Sequence, residues 1–365
     1  MSGSAIRLPR DQVFSFPSGE AATRAAGAVT IRFPGPRNIL STSWMNGGYR
    51  EDLGVVFNHQ IPLAACEACH SGASVKGYLK GVARDLGLDP ETATGLITRA
   101  EMKNTAVVSA SFRDLNVTAI VTAGIDKNGG RAGDPASYFE TGDTFEPVGG
   151  TINTILIIGA DLPGHALVRA MMTATEAKAA ALQQLMARSI YSSGIATGSG
   201  TDMIAIVADP ASPLHLTDAG KHAKLGELIG RTVIAATTAA LEWETGLSPE
   251  SQADVLVRLS RFGVGEEDLY RIAKELPGAC PDRGKFLEHL RGWSRDPGVV
   301  ARVAAALHAV DEAGWGLVPH QVAEREVGGI LSLSEPFTGS ESPIRMVCLG
   351  ITATVMEEMS EKQLG

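Results

Sequence analysis

The sequence predicts a mixed α/β domain of the layered α+β kind, with a largely mixed or antiparallel sheet, followed by a smaller C-terminal helical domain. Three observations carry this. Short β-branched runs alternate with longer helical patterns between residues 29 and 243. Two of those runs, Thr105–Phe112 and Val117–Ala123, are joined only by Asp114-Leu115-Asn116 and read as a hairpin, so the sheet is not all parallel. Beyond Trp243–Pro249 the pattern becomes mostly helical.

Taken in order, residues 1–28 are weakly patterned and read as a peripheral N-terminal extension. Val29–Phe33, Asn38–Ser43 and Leu53–Ile61 are β-rich runs separated by glycine and proline. Val75–Leu86 has a helical pattern. Pro90–Ala100 is expected to be a second helix, with Asp89 as N-cap and Pro90 at the first helical position. After the hairpin, Thr151–Ile158 is an apolar, β-branched strand. Pro163–Arg188 is a long helix in which Leu167, Met171, Ala174, Lys178, Ala181 and Leu185 recur three and four apart. Met203–Ala208 is the last strand and Lys224–Leu241 the last helix of a domain placed at 29–247. In 248–365, helices are expected to open at Ser248-Pro249, Gly265-Glu266-Glu267 and Asp296-Pro297. The tail Ile344–Met359 is apolar enough to pack back on the body.

Composition narrows the function classes. Of 365 residues, 44% are hydrophobic and 20% charged, which is globular usage. A net charge of −9 argues against a nucleic-acid partner, which favours a basic face. The N-terminus has no apolar signal region, and no apolar run reaches the roughly 20 residues of a membrane span. Four cysteines make no disulfide framework. The chain reads as soluble and cytoplasmic.

The chemistry concentrates in Ser189–Arg231, a Gly/Ser/Thr loop carrying Asp202, then a strand, then Gly220-Lys221-His222 before a helix. Gly198 and Gly200 allow close backbone approach beside Thr201 and Asp202. The strand follows this loop rather than preceding it, and no Gly-Lys-Ser/Thr is present, so a Walker loop is excluded. Gly226 and Gly230 make a bare strip on the His222 side of the helix, while Glu227 and Arg231 form an i,i+4 pair that by itself is an ordinary solvent ion pair. Asn46-Gly47-Gly48 is either a plain Asn-Gly turn or a set of amides able to hold a carbonyl oxygen. The loop after Thr122 carries Asn128, Arg131 and Asp134, and Gly149-Gly150-Thr151-Ile152-Asn153 leads into a strand. Cys66-Glu67-Ala68-Cys69-His70 matches the haem-attachment pattern C-x-x-C-H, but attachment of that kind accompanies export, and Cys280 and Cys348 lie at no metal-ligand spacing from it. A chance cysteine pair is the preferred reading, and no metal site is expected.

Six segments then occur in one order: Asn46-Gly47-Gly48; Thr122-Ala123-Gly124 with Arg131-Ala132-Gly133-Asp134; Gly150-Thr151-Ile152-Asn153; Ala174-Thr175-Glu176-Ala177-Lys178; Gly198-Ser199-Gly200-Thr201-Asp202; and Lys224-Leu225-Gly226-Glu227-Leu228-Ile229-Gly230. Together they resemble the adenosylcobinamide amidohydrolases, the CbiZ family of corrinoid salvage, over about residues 35–243. The resemblance implies that water cleaves the amide joining the corrin ring to its aminopropanol arm, giving adenosylcobyric acid and 1-amino-2-propanol. It implies a corrinoid substrate that brings its own cobalt and no separate cofactor. It leaves homo-oligomerisation open.

Such a reaction needs an activated water, a held oxyanion and a protonated leaving amine. Neither a Ser-His-Asp order nor a Cys-His pair stands out, so direct attack by water is favoured over an acyl-enzyme. On this reading Asp202 or Glu227 is the base, and His222 the acid or its orienting partner. Lys221 or the Gly47 and Gly48 amides hold the oxyanion. Asn46, His59, Asn128, Arg131, Asp134, Thr151, Asn153, Gly198, Gly200 and Thr201 are expected to shape the substrate site. The alternatives are a corrinoid carrier or sensor without catalysis, and a haem or metal protein built on Cys66, Cys69 and His70.

Overall fold

The computed structural model describes residues 4–16, 18–70, 74–136, 150–277, 280–331 and 342–364. They fall into two units, Met1–Ser248 and Pro249–Gly365. The first unit holds strands β1 (Ile6–Arg7), β2 (Val13–Ser15), β3 (Ala21–Ala25), β4 (Ala28–Ser41), β5 (Gly48–Gln60), β6 (Ala93–Thr98), β7 (Ala106–Phe112), β8 (Leu115–Gly124), β9 (Gly129–Gly130), β10 (Thr151–Ile158), β11 (Gly198–Ser199) and β12 (Met203–Ala208). Its helices are α1 (Leu63–His70), α2 (Val75–Asp85), α3 (Gly164–Gln184) and α4 (Lys224–Thr245). Ten strands make one mixed, mostly antiparallel sheet in the order β1-β7-β8-β10-β12-β4-β3-β2, with β5 pairing β4 and β6 pairing β5. β9 and β11 form a separate two-stranded ribbon.

Among the described strand pairs only β5–β6 and β10–β12 are parallel. A parallel pair cannot be closed by a tight turn and needs a crossover. Helices α1 and α2 supply it for the first pair and α3 for the second. Period-two alternation then divides each central strand between two cores. Ile152, Leu156 and Ile158 of β10, with Ile206 of β12, lie beneath α3 and α4. Ile155 and Ile157, with Met203, Ala205 and Val207, face the other way, where Ile31, Ile39, Leu53, Val56 and Leu96 from β4, β5 and β6 meet them. The sheet therefore curls over its own second face. Helix α2 covers the outside of β5 and β6, setting Leu79, Val82 and Ala83 against Phe57 and Ala93.

Two expectations are corrected here. Residues 6–25 are not peripheral: they add β1, β2 and β3 to the sheet, and Leu8, Phe16 and Ala22 are buried in its core. Glu20 joins them, 1% exposed, because Arg37 reaches it at 3.4 Å and Ser18 Oγ donates to it at 2.6 Å. Pro90–Ala100 is not a helix but contains β6. Asp89 does accept from Glu91 N at 3.0 Å, which makes a turn, and the chain then extends along the open edge of β5. Pairing with β5 overrides the local helical signal. Gly95 has a further reason to be there: a Cβ on it would meet the buried Phe57 ring at 2.3 Å.

Smaller differences concern connections. Val29–Phe33 and Asn38–Ser41 belong to one bulged strand, β4, whose register with β5 shifts on either side of Arg37. The hairpin forms as expected, but its turn is Arg113-Asp114, with Arg113 at φ 53°, so Leu115 and Asn116 already lie in β8.

The second unit is helical: α5 (Val255–Leu259), α6 (Glu266–Glu275), α7 (Arg283–Trp293), α8 (Pro297–Gly314), α9 (His320–Ile330) and α10 (Pro343–Leu364). Asp254, Asp282 and Asp296 cap three of these by accepting a backbone N–H. The helix expected at Ser248-Pro249 begins only at Val255, after the Asp254 cap. Leu269, Phe286, Leu290, Val303 and Val327 surround Val347, Ile351 and Val355 of α10, so the apolar tail packs into this unit's own core. Among the described residues no helix is long and apolar enough to cross a membrane.

Two substitutions test this packing. Gly95→Ala forces Phe57 out of place and is expected to cost about 1–3 kcal/mol, read as a lower denaturant midpoint at unchanged slope. Arg37→Met leaves the Glu20 carboxylate buried without its cation and is expected to cost about 3–5 kcal/mol. The double variant with Glu20→Gln should recover much of that loss; equal losses in both would refute the pair's importance.

Candidate active site

Parallel neighbours start at the same end of a sheet, so the segments that lead into β10 and β12 lie side by side. Asn153 is in register with Met203. Asp202, one residue before β12, turns its carboxylate towards the start of β10. Its Oδ1 accepts from Ile152 N at 2.9 Å and Ser199 Oγ at 2.6 Å. Its Oδ2 accepts from Ser199 N at 3.1 Å and pairs with Lys178 Nζ from α3. Only 14% of the Asp202 side chain and 13% of the Lys178 side chain are exposed. The Gly150 carbonyl oxygen beside them receives the Asn128 amide at 2.5 Å and the Thr151 and Thr201 hydroxyls at 2.7 Å each.

Two glycines make this arrangement fit. Gly150 sits at φ 113°, and a Cβ there would lie 2.2 Å from Asn128 Oδ1. A Cβ on Gly198 would lie 2.3 Å from Asp202 Oδ2 and 2.8 Å from Lys178 Nζ.

Asp202 and Lys178 open onto a cleft of about 820 Å³, whose described walls include Arg131, Asp134, Glu176, Tyr191, Thr197, Ser199 and Thr201. Asp134 organises the Arg131 side of it. Its Oδ2 accepts from Arg131 N at 2.7 Å and Ser189 Oγ at 2.6 Å. Burial pushes the Asp134 carboxyl up, but hydrogen bonds from Ser189, Ser192 and the Arg131 backbone hold it below the ordinary value.

A second, smaller cleft of about 190 Å³ lies beside the first, lined by Arg169, Met172, Thr173, Asp218, Lys221 and His222. Glu176 lines both clefts and pairs with Lys221 between them. Asp218 fixes the far wall, accepting from Arg169 Nε at 2.8 Å and Gly220 N at 2.9 Å. Gly226 lets the first turn of α4 sit on this loop, since a Cβ would meet Gly220 O at 2.0 Å. The bare strip therefore receives backbone at Gly226, and only Gly230 faces open space.

The structure thus gathers Arg131, Asp134, Gly198, Gly200, Thr201 and Asp202 into one cleft, with Asn128 and Thr151 supporting it through Gly150. Lys221 and His222 lie in the neighbouring cleft.

The other expected site residues lie elsewhere. Glu227 is an exposed partner of Lys224 and Arg231, and Lys224 holds its carboxyl below the usual value. Lys224 stacks 4.9 Å over Phe112 at the β7–β8 turn, the end of the sheet away from Thr151. Asn46 spends its amide on the Pro90 and Ala93 carbonyls, 2.7 Å each, so its turn is pinned to the start of β6. Gly47 and Gly48 serve that turn: a Cβ on Gly47 would meet Ser43 O at 1.9 Å, and Gly48 has φ 80°. None of the three lines the cleft. His59 Nε2 lies 2.9 Å from Tyr78 Oη on α2, and burial pushes its imidazole down. Asn153 points into the curled interior, donating to Asn58 Oδ1 at 2.8 Å and Ile97 O at 2.9 Å.

The expected site residues did not include Lys178, Glu176 and Ser199 of this cleft, nor Tyr191 and Thr197, although the first three lie in the segments that resemble the family. A signal for Lys178 was present, since it is the one charged residue in the apolar repeat of α3. Of the Cys-Glu-Ala-Cys-His segment, Cys66 lies on α1, while the side chains of Cys69 and His70 fall outside the described residues. Among the described residues no group of three His, Cys, Asp or Glu could hold a metal ion.

The adenosylcobinamide amidohydrolase family profile matches residues 14–249. An uncharacterized protein of Methanocaldococcus jannaschii is 36% identical over 225 residues, spanning 58% of this chain and 85% of that protein. An adenosylcobinamide amidohydrolase of Methanosarcina mazei is 29% identical over 222 residues, spanning 58% of this chain and 94% of that protein. A solved structure from Pyrococcus horikoshii aligns with 67% of this chain and 84% of its own at 12% identity and a TM-score of 0.32, which is too low to bear on fold or function. The family match takes in every residue of both clefts, and the chain belongs to the adenosylcobinamide amidohydrolase family.

Proposed function

We propose that the N-terminal unit hydrolyses the amide between the corrin ring and the aminopropanol arm of adenosylcobinamide. The products are adenosylcobyric acid and 1-amino-2-propanol, and the reaction serves corrinoid salvage. The observation that carries this reading is the Lys178–Asp202 pair, held at the wall of a cleft built from the segments that resemble the family. The cobalt belongs to the substrate, and the protein supplies no cofactor of its own.

The role of Asp202 is narrowed by its partners. A carboxylate offers about four acceptor sites, and Asp202 has four donors on them. A water reaches it only by displacing one. Asp202 therefore acts by fixing Lys178 and Ser199 rather than by taking a proton. Lys178 keeps N–H groups for the cleft, where its charge stabilises the amide oxygen as it becomes anionic. Arg131, exposed at the other wall, meets the neutral amides on the corrin rim. His222, in the smaller cleft, meets the hydroxyl of the arm.

The direct test is incubation of the full chain with adenosylcobinamide and identification of the released amine. Binding without release would favour a corrinoid carrier or sensor instead. Lys178→Met and Asp202→Asn are each expected to lower turnover ~10²–10³-fold, the usual loss for one oxyanion donor, with corrinoid affinity little changed. Near-wild-type turnover in both variants would refute the assignment. His222→Ala is expected to raise KM more than it lowers kcat; the reverse split would place His222 in the chemical step.

A further inference from the structure

The reading above leaves the attacking water without a base. Three carboxylates line the larger cleft among the described residues: Asp134, Asp202 and Glu176. Asp202 is filled by four donors, and Asp134 is engaged by Ser189 and the Arg131 backbone. Glu176 differs. It pairs through Oε2 with Lys221, and the Glu176 and Lys221 side chains are 49% and 66% exposed. Glu176 also lines the cleft, and an exposed ion pair of this kind is weak enough to yield.

The placement of Glu176 on α3 adds a second argument. Residues 176 and 178 stand about 160° apart around a helix. Thr175 and Ala179 lie between them and line the same cleft. Lys178 and Glu176 thus form opposite flanks of one opening. Glu176 is also the residue shared with the smaller cleft. An amide lying over Thr175 and Ala179 has its oxygen at Lys178, Glu176 on its other side, and room beyond Glu176 for a short amine.

The geometry points to Glu176 as the general base of this site, an assignment that rests on the proposed amide hydrolysis. The Glu176 carboxylate takes a proton from water as the water oxygen bonds to the amide carbon. The tetrahedral intermediate, its oxyanion against Lys178, then breaks the C–N bond. The electron pair leaves on nitrogen, which takes the proton back from Glu176. The carboxylate is regenerated, and one water is consumed for one carboxylic acid and one amine.

Glu176 is exposed, so its variants should fold. Adenosylcobinamide affinity and single-turnover amine release are measured for the wild-type chain, Glu176→Gln and Glu176→Ala. Glu176→Gln is expected to bind with little change but to lose ~10²–10⁴-fold in turnover, the range for one acid–base group. Glu176→Ala is expected to regain activity with added formate, which a structural role would not produce. Wild-type turnover in Glu176→Gln, loss of corrinoid binding, or no rescue by formate would each overturn the assignment while leaving the hydrolysis reading intact. A wild-type chain that releases no amine would overturn that reading, and the assignment with it.

Discussion

The Asp202 carboxylate ties together three parts of the chain that its sequence keeps far apart. Through Ile152 N it holds the start of β10, through Ser199 the turn before β12, and through Lys178 the fourth turn of α3. Two charges that are about one-seventh exposed pay a desolvation cost which a bare pair does not recover. Here the cost is offset because both oxygens also receive N–H and O–H donors. The glycines follow from the same constraint. Gly198 must lack a Cβ for Asp202 and Lys178 to meet, and Gly150 must lack one for Asn128 to reach its carbonyl.

That tie depends on a parallel pair. Because β10 and β12 run the same way with α3 between them, the segments entering both strands and the last turns of α3 converge at one end of the sheet. The β9–β11 ribbon then brings the Arg131 loop alongside. Antiparallel pairing of β10 with β12 would have sent Asp202 to the opposite end from Thr151. The interior polar chain Asn153–Asn58–Thr122 does separate work, locking the curled half of the sheet onto its central strands. It resembles a site in sequence because amides beside a glycine loop look alike whether they face a ligand or another strand.

Much of the fold was legible in the residues. Apolar, β-branched runs marked β8, β10 and β12, helical patterns marked α2, α3 and α4, and Asp-Pro marked the start of α8. The exceptions have a common cause. Ala93–Thr98 becomes a strand because the edge of β5 is open to it, and β1 joins the sheet because β7 offers an edge far along the chain, while β2 and β3 add to β4 as a local meander. Edge pairing depends on partners that local propensity cannot see. Within the site, Asp202, Thr201, Arg131 and Asp134 stood out as polar groups in glycine-rich loops. Lys178 was marked only by its charge within the apolar repeat of α3 and by the segment it ends, because it occupies a helix position that otherwise belongs to the core.

The sequence by itself determined most of the strands and helices between residues 29 and 245, the helical character of the second unit, the glycine positions that admit close approach, and the family. Those properties reside in local spacing and in short segments that keep their order. Only the tertiary structure decided which polar residues share a cleft. It separated Glu227, His59, Asn153 and the Asn46 turn from Asp202, and it brought Glu176 and Lys178 to the two flanks of one opening. Convergence of this kind is set by sheet order and crossover direction, which join residues far apart in the chain, such as Ile152 and Asp202 at 50 positions.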